Sequence, residues 1–332
     1  MTDTAARVAV LVPCRDEAAT VAQVVFDFQH ALPGAVVYVY DNASADDTGA
    51  RAKAAGAVVR REMRPGKGTV VRRMFADIDA DIYVLVDGDG TYDADAAPGM
   101  IRMLVEDQLD MVVGVRRESE EDAYRNGHRL GNAFFSRLLR MLFGGVFADV
   151  FSGYRVMSRR LVKSFPVASG GFEIETELTA HALDVRAACA EMPTDYRSRP
   201  EGSESKLRTW RDGWRIMMAA VVFYKELRPF RFFGLVAMLL TALAIALGIP
   251  VIVEFLRTGL VPQMPTAILA AAVQVAAVVA GTSGVVLDSI GRGRRETKLL
   301  TYLSLPSAAD LVVPGVSERP ANLKIAGGSA GS

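Results

Sequence analysis

The sequence predicts a doubly wound, mostly parallel α/β domain followed by two membrane-spanning helices. Three observations predict it. Short apolar runs alternate with amphipathic segments at helical spacing, joined by short connections. The run Ile82 to Val86 is apolar throughout and stops at Asp87-Gly88-Asp89-Gly90, as a strand buried on both faces would. Two later stretches, Phe232 to Val253 and Ala267 to Leu287, carry no charge. Each is roughly the 20 residues that a bilayer crossing needs.

The elements follow in order. Arg7 to Pro13 is a buried strand, and Asp16 to His30 places Val21, Val24, Val25 and Phe28 on one helical face. Ala35 to Tyr40 is a strand stopped by Asp41-Asn42-Ala43-Ser44. Asp46 to Ala55 reads as a helix, Ala57 to Arg61 as a short strand and Gly68 to Asp77 as a helix. After the strand at Ile82 come a helix over Ala97 to Glu106 and a strand over Asp110 to Val115. Glu118 to Leu130 is polar and basic and is expected to be a loop; Asn132 to Phe143 is an apolar helix.

From Leu207 the character changes. Leu207 to Arg231 mixes Trp210, Trp214, Phe223 and Tyr224 with Arg208, Arg211, Arg215, Lys225, Arg228 and Arg231. Aromatic and cationic residues on one amphipathic helix suit a membrane interface. The expected organisation is a catalytic domain over 1–206, an interfacial segment over 207–231, two spans within 232–290, and a basic segment with a disordered tail over 291–332. Lys225, Arg228 and Arg231 precede the first span, and Arg292, Arg294, Arg295 and Lys298 follow the second. The loop between them, Glu254 to Thr266, holds only Arg257. The positive-inside rule therefore puts the catalytic domain and both termini in the cytoplasm of an inner membrane, with the short loop outside. Ala277, Ala280, Gly281 and Gly284 permit close helix contact, within the pair or between copies in a homo-oligomer.

Composition excludes several classes. Lys+Arg 38 balances Asp+Glu 38, so nothing points to nucleic acid. Two cysteines, Cys14 and Cys189, without paired spacing exclude a disulfide scaffold and a thiolate zinc site. Hydrophobic residues make up 51% of the chain, in keeping with spans. The N-terminus reads as a first strand and not as a signal peptide. No G-x-G-x-x-G follows the first strand and no G-x-x-x-x-G-K-[ST] occurs, which removes dinucleotide dehydrogenases and P-loop enzymes.

In a doubly wound sheet the strand ends share one edge, and ligands bind there. That edge should gather Pro13 to Glu17, Asp41, Lys67, Asp87 and Asp89. Two carboxylates on a glycine-bearing turn suit Mg²⁺ or Mn²⁺, which keep water and add substrate phosphate oxygens.

The ordered motifs VPCRDEAAT, YDNASADDT, RPGKG, DGDGTYD, DVFSGYR and RSRPEGSESKL, followed by two spans, resemble the family-2 glycosyltransferases. In particular they resemble the membrane-bound polyprenyl-phosphate sugar transferases such as dolichyl-phosphate mannose synthase. The resemblance implies a GT-A fold, a divalent metal, a nucleotide-diphosphate-sugar donor and a polyprenyl phosphate acceptor in the lipid bilayer. It implies that Pro13, Glu17 and Asp41 contact base and ribose, that Asp87 lies by nucleotide and sugar, and that Asp89, with Asp87, holds the metal. Lys67, Arg199, Ser205 and Lys206 fall to the donor side. Arg116 and Arg129 match arginines that bind the lipid phosphate, with Asn132 and Arg155 beside them. Asp149 heads the D-x-x-S-G-F/Y-R motif as a catalytic group, with Tyr154 in place of the commoner Phe. Thr91 stands where some relatives carry a metal-binding glutamine. A UDP-sugar, UDP-glucose by default, is the favoured donor, with GDP-mannose as the alternative. A non-enzymatic nucleotide-sugar-binding anchor is the rival from another class. A processive polysaccharide synthase is disfavoured, since no Q-x-x-R-W segment occurs.

Overall fold

The computed structural model describes residues 6–116, 149–150, 152–166, 174–196, 225, 228–308 and 311. They fall into two compact units. The described residues of the first lie within Met1–Glu120, Asp149–Ser203 and Tyr302–Ser332, and those of the second within Glu204–Thr301.

The first unit is built on β1 (Val8–Cys14), α1 (Val21–Ala31), β2 (Val36–Asp41), α2 (Thr48–Ala54), β3 (Val58–Arg61), α3 (Lys67–Asp77), β4 (Ile82–Leu85), α4 (Ala97–Glu106) and β5 (Met111–Arg116). These continue into β6 (Arg155–Ser158), α5 (Arg159–Ser164), α6 (Ile174–Asp184) and β7 (Cys189–Thr194). The seven strands lie in the order β3-β2-β1-β4-β6-β5-β7. All run parallel except β6, which is antiparallel to both neighbours. The mostly parallel doubly wound sheet expected from the sequence is therefore present.

Alternation along the central strands feeds two layers of core. Val10 and Val12 of β1 and Val84 of β4 join Val24, Val25 and Phe28 of α1 and Met100, Ile101 and Leu104 of α4. Leu11, Tyr83 and Leu85 are equally buried but outside that cluster. On their face Phe75 of α3 meets Tyr83 and Phe165 edge-on, at 6.2 Å between centroids in each case. Ala308 belongs to the first cluster and Leu311 packs against it, so these two residues are not part of a disordered tail.

Chain order reverses between β1 and β4: β2 and β3 build outward on one side, and β4 returns to the other. The carboxyl ends of β1 and β4 flank the switch point, where open α/β sheets bind ligands. β6 adds a second segment to this edge. Because it runs backwards, Arg155 at its start is paired with Leu85 at the end of β4. The residues just before it therefore arrive beside Asp87.

The second unit contains α7 (Pro229–Thr258) and all but the last two residues of α8 (Met264–Leu303), helices of 30 and 40 residues. Both are long and apolar enough to cross a membrane. They outrun the predicted spans at both ends, and the connection shrinks to a few residues after Gly259, which ends α7 at φ 72°. α8 continues past Leu287 through the basic cluster Arg292 to Lys298, which the sequence sets after the second span. Gly281 and Gly284 face Ala237 and Phe233, and Ala277 is buried, so these small residues serve contact within the pair. The interfacial segment up to Tyr224 and the helix Asn132 to Phe143 lie outside the described residues.

Candidate active site

Two loops at the strand ends are laced together. Asp16 and Ala43 both adopt the left-handed region, at φ 52° and 54°. The Asp16 backbone N–H donates to Ser44 Oγ at 3.0 Å, and Asp16 Oδ1 accepts from the Ala45 backbone at 2.7 Å. The Glu17 backbone N–H donates to Thr48 Oγ1 at 2.8 Å. Asp41, paired with Cys14 across the strands, turns its Oδ1 to the Ser44 N–H at 2.9 Å. Asn42 holds the next loop: its amide donates to the carbonyls of Glu62 and Arg64, and its oxygen accepts from Gly66, the residue before Lys67. Pro13, Glu17, Asp41 and Lys67 are thus gathered on one edge. Pro13 is buried within β1.

The turn after β4 is packed tightly. A side chain at Gly88 would collide with Cys14 Sγ and the Glu17 carboxylate. Thr20 Oγ1 donates to the Gly88 carbonyl at 2.7 Å. Asp89 is buried, and its Oδ1 accepts from the Thr91 backbone at 3.2 Å and the Thr91 hydroxyl at 2.6 Å. Thr91 therefore orients the carboxylate and has its own proton committed there. Asp87 is more open and lies 2.5 Å from Lys67 Nζ, which also pairs with Glu175. Burial pushes the Lys67 ammonium down, but Asp87 and Glu175 outweigh it and hold the group above its ordinary range.

Gly153 backs this turn. A Cβ there would lie 3.0 Å from Asp87 Cγ and closer still to Oδ2. The Gly153 N–H donates to Tyr92 Oη at 2.9 Å. The Tyr92 ring also packs at a tilt against Tyr154 and edge-on against Tyr196, each 5.4 Å away between centroids. The D-x-x-S-G-Y-R segment is thereby fixed against the metal-binding candidates.

Arg116, at the end of β5, forks onto Asp149: Nε to Oδ2 at 2.8 Å and Nη2 to Oδ1 at 3.0 Å. Its guanidinium carbon is 5.6 Å from the centre of the Tyr196 ring. Burial lowers the Arg116 pKa, and Asp149 more than reverses that, so the charge is permanent.

Arg155 corrects an expectation. It was assigned to the acceptor phosphate, yet it is fully buried. Nε donates to Ser152 O at 3.1 Å, Nη2 to Val150 O at 2.7 Å and Nη1 to Thr179 Oγ1 at 3.0 Å. With a further contact from Nη1 to Met111 Sδ at 3.6 Å, it ties the motif to α6 and β5 and presents no surface to a ligand. Arg129, Asn132, Arg199, Ser205 and Lys206 lie outside the described residues. Sequence reasoning missed Glu175, Gly153, Tyr92 and Tyr196; Tyr92 and Gly153 lie inside the motifs DGDGTYD and DVFSGYR without a chemical signature of their own, and Glu175 and Tyr196 lie outside every motif.

The donor set can be matched to a divalent ion. Among the described residues no third His, Cys, Asp or Glu completes a cluster with Asp87 and Asp89. Two carboxylates do not cage a metal. They do fit Mg²⁺ or Mn²⁺ that takes its other ligands from water and phosphate. Asp87, Lys67 and Glu175 sum to one negative charge, and Asp89 adds another, so the edge attracts a cation.

Comparison with known proteins bears on the family and the fold. The family described as Glycosyl transferase family 2 matches residues 9–165. The chain is similar to glycosyltransferase AglJ of Haloferax volcanii, at 34% identity over 250 residues, 75% of this chain and 82% of that one. It is 28% identical over 210 residues to the dolichyl-phosphate hexose transferase of the same organism, covering 62% of this chain and 88% of that one. Glucosyl-3-phosphoglycerate synthase from Mycobacterium tuberculosis, solved with Mg²⁺ and uridine diphosphate, matches with a TM-score of 0.53 at 25% identity over 65% of this chain and 79% of that one. The sheet is GT-A-like, as the motifs implied. Since the first Haloferax relative is matched over most of its length, the chain belongs to glycosyl transferase family 2.

Proposed function

We propose that the protein moves a hexose from a nucleotide-diphosphate sugar to a polyprenyl phosphate such as undecaprenyl phosphate, making a lipid-linked sugar donor for cell-envelope glycans. The observation that carries the reading is the pairing of a family-2 sheet with two helices whose apolar side chains are left uncovered. Leu235, Met238, Leu239, Ile245, Ile249 and Ile252 of α7 are all more than 45% exposed. A soluble protein would bury them; a bilayer accepts them. The name of the dolichyl-phosphate hexose transferase relative supports the same acceptor class.

The acceptor is already an anionic nucleophile at neutral pH, because a phosphate monoester has its second pKa near ~6. The harder problem is holding two anions together. Arg116 offers the Nη1–Nη2 edge of its guanidinium to the lipid phosphate, joined by Arg129 and Asn132, while Asp149 takes the Nε–Nη2 edge and fixes the plane. Pro13, Glu17 and Asp41 serve base and ribose. Lys67, Arg199, Ser205 and Lys206 serve the diphosphate. Asp87 and Asp89 would hold Mg²⁺ or Mn²⁺, which when bound neutralises charge on the departing diphosphate.

The domains follow the same reading. Residues 1–206 are catalytic, 207–231 lie in the interface, and α7 and α8 cross the inner membrane with both termini cytoplasmic. The first basic cluster, Lys225, Arg228 and Arg231, and the second, Arg292 to Lys298, bracket the spans on that side. The donor is a UDP-sugar, with UDP-glucose first and GDP-mannose second.

Radiolabelled UDP-sugars and GDP-mannose, incubated with purified protein and undecaprenyl phosphate in vesicles, test the reading. Label should enter the organic phase from one donor. Release of free sugar alone, from every donor, would refute lipid transfer.

A further inference from the structure

An ion triad lies behind the carboxylate turn. Lys67, the first residue of α3, is held between Asp87 at 2.5 Å and Glu175 in the first turn of α6. Side-chain exposures are 11% for Lys67, 28% for Asp87 and 7% for Glu175. Glu175 is therefore sealed from ligands, and what it does to the site passes through Lys67. Its helix turn is anchored: Thr179 Oγ1 donates to the Glu175 carbonyl at 2.9 Å and accepts from the buried Arg155 at 3.0 Å.

Burying a second carboxylate against one ammonium is costly unless it serves a purpose. A lone Asp87–Lys67 pair would be neutral and cheaper to bury. It would also place a cation where a divalent ion must compete for Asp87.

We propose that Glu175 is a positioning residue for the donor site, acting as a second counter-ion that shares Lys67 and so leaves Asp87 available to a divalent cation. The inference rests on the metal-dependent reading above. With an ion on Asp87, Lys67 keeps Glu175 as its partner and stays at the site, its ammonium directed to the donor's phosphates. Without Glu175, Lys67 has only Asp87 and opposes the ion.

The test is Mn²⁺-dependent binding of UDP, with GDP in parallel, to the full-length protein in detergent by calorimetry. The Mn²⁺ concentration for half-maximal nucleotide binding is the readout. Glu175→Gln should raise it by about tenfold or more, the size of one charge-assisted contact, with nucleotide affinity recovering at saturating Mn²⁺. Glu175→Asp should fall between wild type and Glu175→Gln. Adding Lys67→Met to Glu175→Gln should bring the Mn²⁺ requirement back down, since the competitor is gone, while nucleotide at saturating Mn²⁺ binds more weakly than to Glu175→Gln, since the phosphate contact is gone too. A lower melting temperature with unchanged Mn²⁺ dependence in both Glu175 variants would mean a purely structural role and overturn the inference. If the wild type binds neither nucleotide with Mn²⁺, the functional reading fails and the inference with it. If the wild type binds and the variants match it, the inference alone fails.

Discussion

Arg116 grips both oxygens of Asp149, at 2.8 and 3.0 Å, from a position 33 residues earlier in the chain. The Nε–Nη2 edge of Arg116 is therefore matched to a carboxylate, and the Nη1–Nη2 edge is the one left for a lipid phosphate. A phosphate arriving at Arg116 meets a guanidinium whose plane is fixed in advance, which lowers the ordering cost of binding.

Arg116→Lys should weaken the apparent affinity for acceptor by roughly one to two decades, because a point charge cannot reproduce the fork. Asp149→Asn keeps the shape but loses the charge, and should lower turnover with a smaller change in acceptor affinity. Donor binding, titrated separately, should stay near wild type in both. Collapse of donor binding in Arg116→Lys would move this arginine to the diphosphate site.

Asp89→Ala should abolish transfer while the protein still folds, and excess chelator should do the same to the wild type. Thr91→Val removes the hydroxyl that orients Asp89 and should cost about 0.5–1.5 kcal/mol in metal-dependent donor binding. Full turnover of Asp89→Ala in chelator would remove the metal from the account.

Gly153→Ala places a methyl group on the Asp87 carboxylate. Asp87 must move, at a cost of about 1–3 kcal/mol, and transfer should fall by roughly 10-fold or more. The thermal midpoint should change far less than after a core truncation. Unchanged activity would mean that Asp87 tolerates displacement and has no exact position to keep.

Tyr154 carries the opposite expectation. Its hydroxyl is buried without a hydrogen-bond partner among the described residues, beneath a ring packed on Phe28 and Tyr92. Tyr154→Phe removes that unmet group and should stabilise the protein by about 1 kcal/mol, with activity retained. A lower melting temperature would reveal a partner for the hydroxyl.

The parallel half of the sheet was legible because each strand is an apolar run cut off by polar residues. Ile82 to Val86 before Asp87 is the clearest case. The reversed strand β6 was missed because its four residues open on Arg155. A sequence gives no sign that a guanidinium is buried with its donors satisfied, and the same blindness sent Arg155 to the phosphate. β7 was missed because Glu191 and Pro193 interrupt it at the sheet edge. Glu175 lies in a helix turn with nothing in sequence to link it to Lys67, 108 residues away. For α8, hydropathy marks where the apolar stretch stops, whereas the backbone hydrogen bonding carries on through the arginines.

The central claim is that sugar leaves the nucleotide for a lipid phosphate. Mass spectrometry of the organic extract, after reaction of the wild type with undecaprenyl phosphate and the active nucleotide sugar, tests it most directly. The account predicts a species of the mass of undecaprenyl phosphate plus one hexose less water, matched by an equal amount of nucleoside diphosphate and absent with Asp89→Ala. A product found only in the aqueous phase, as the same hexose on a small soluble phosphate acceptor, would contradict it.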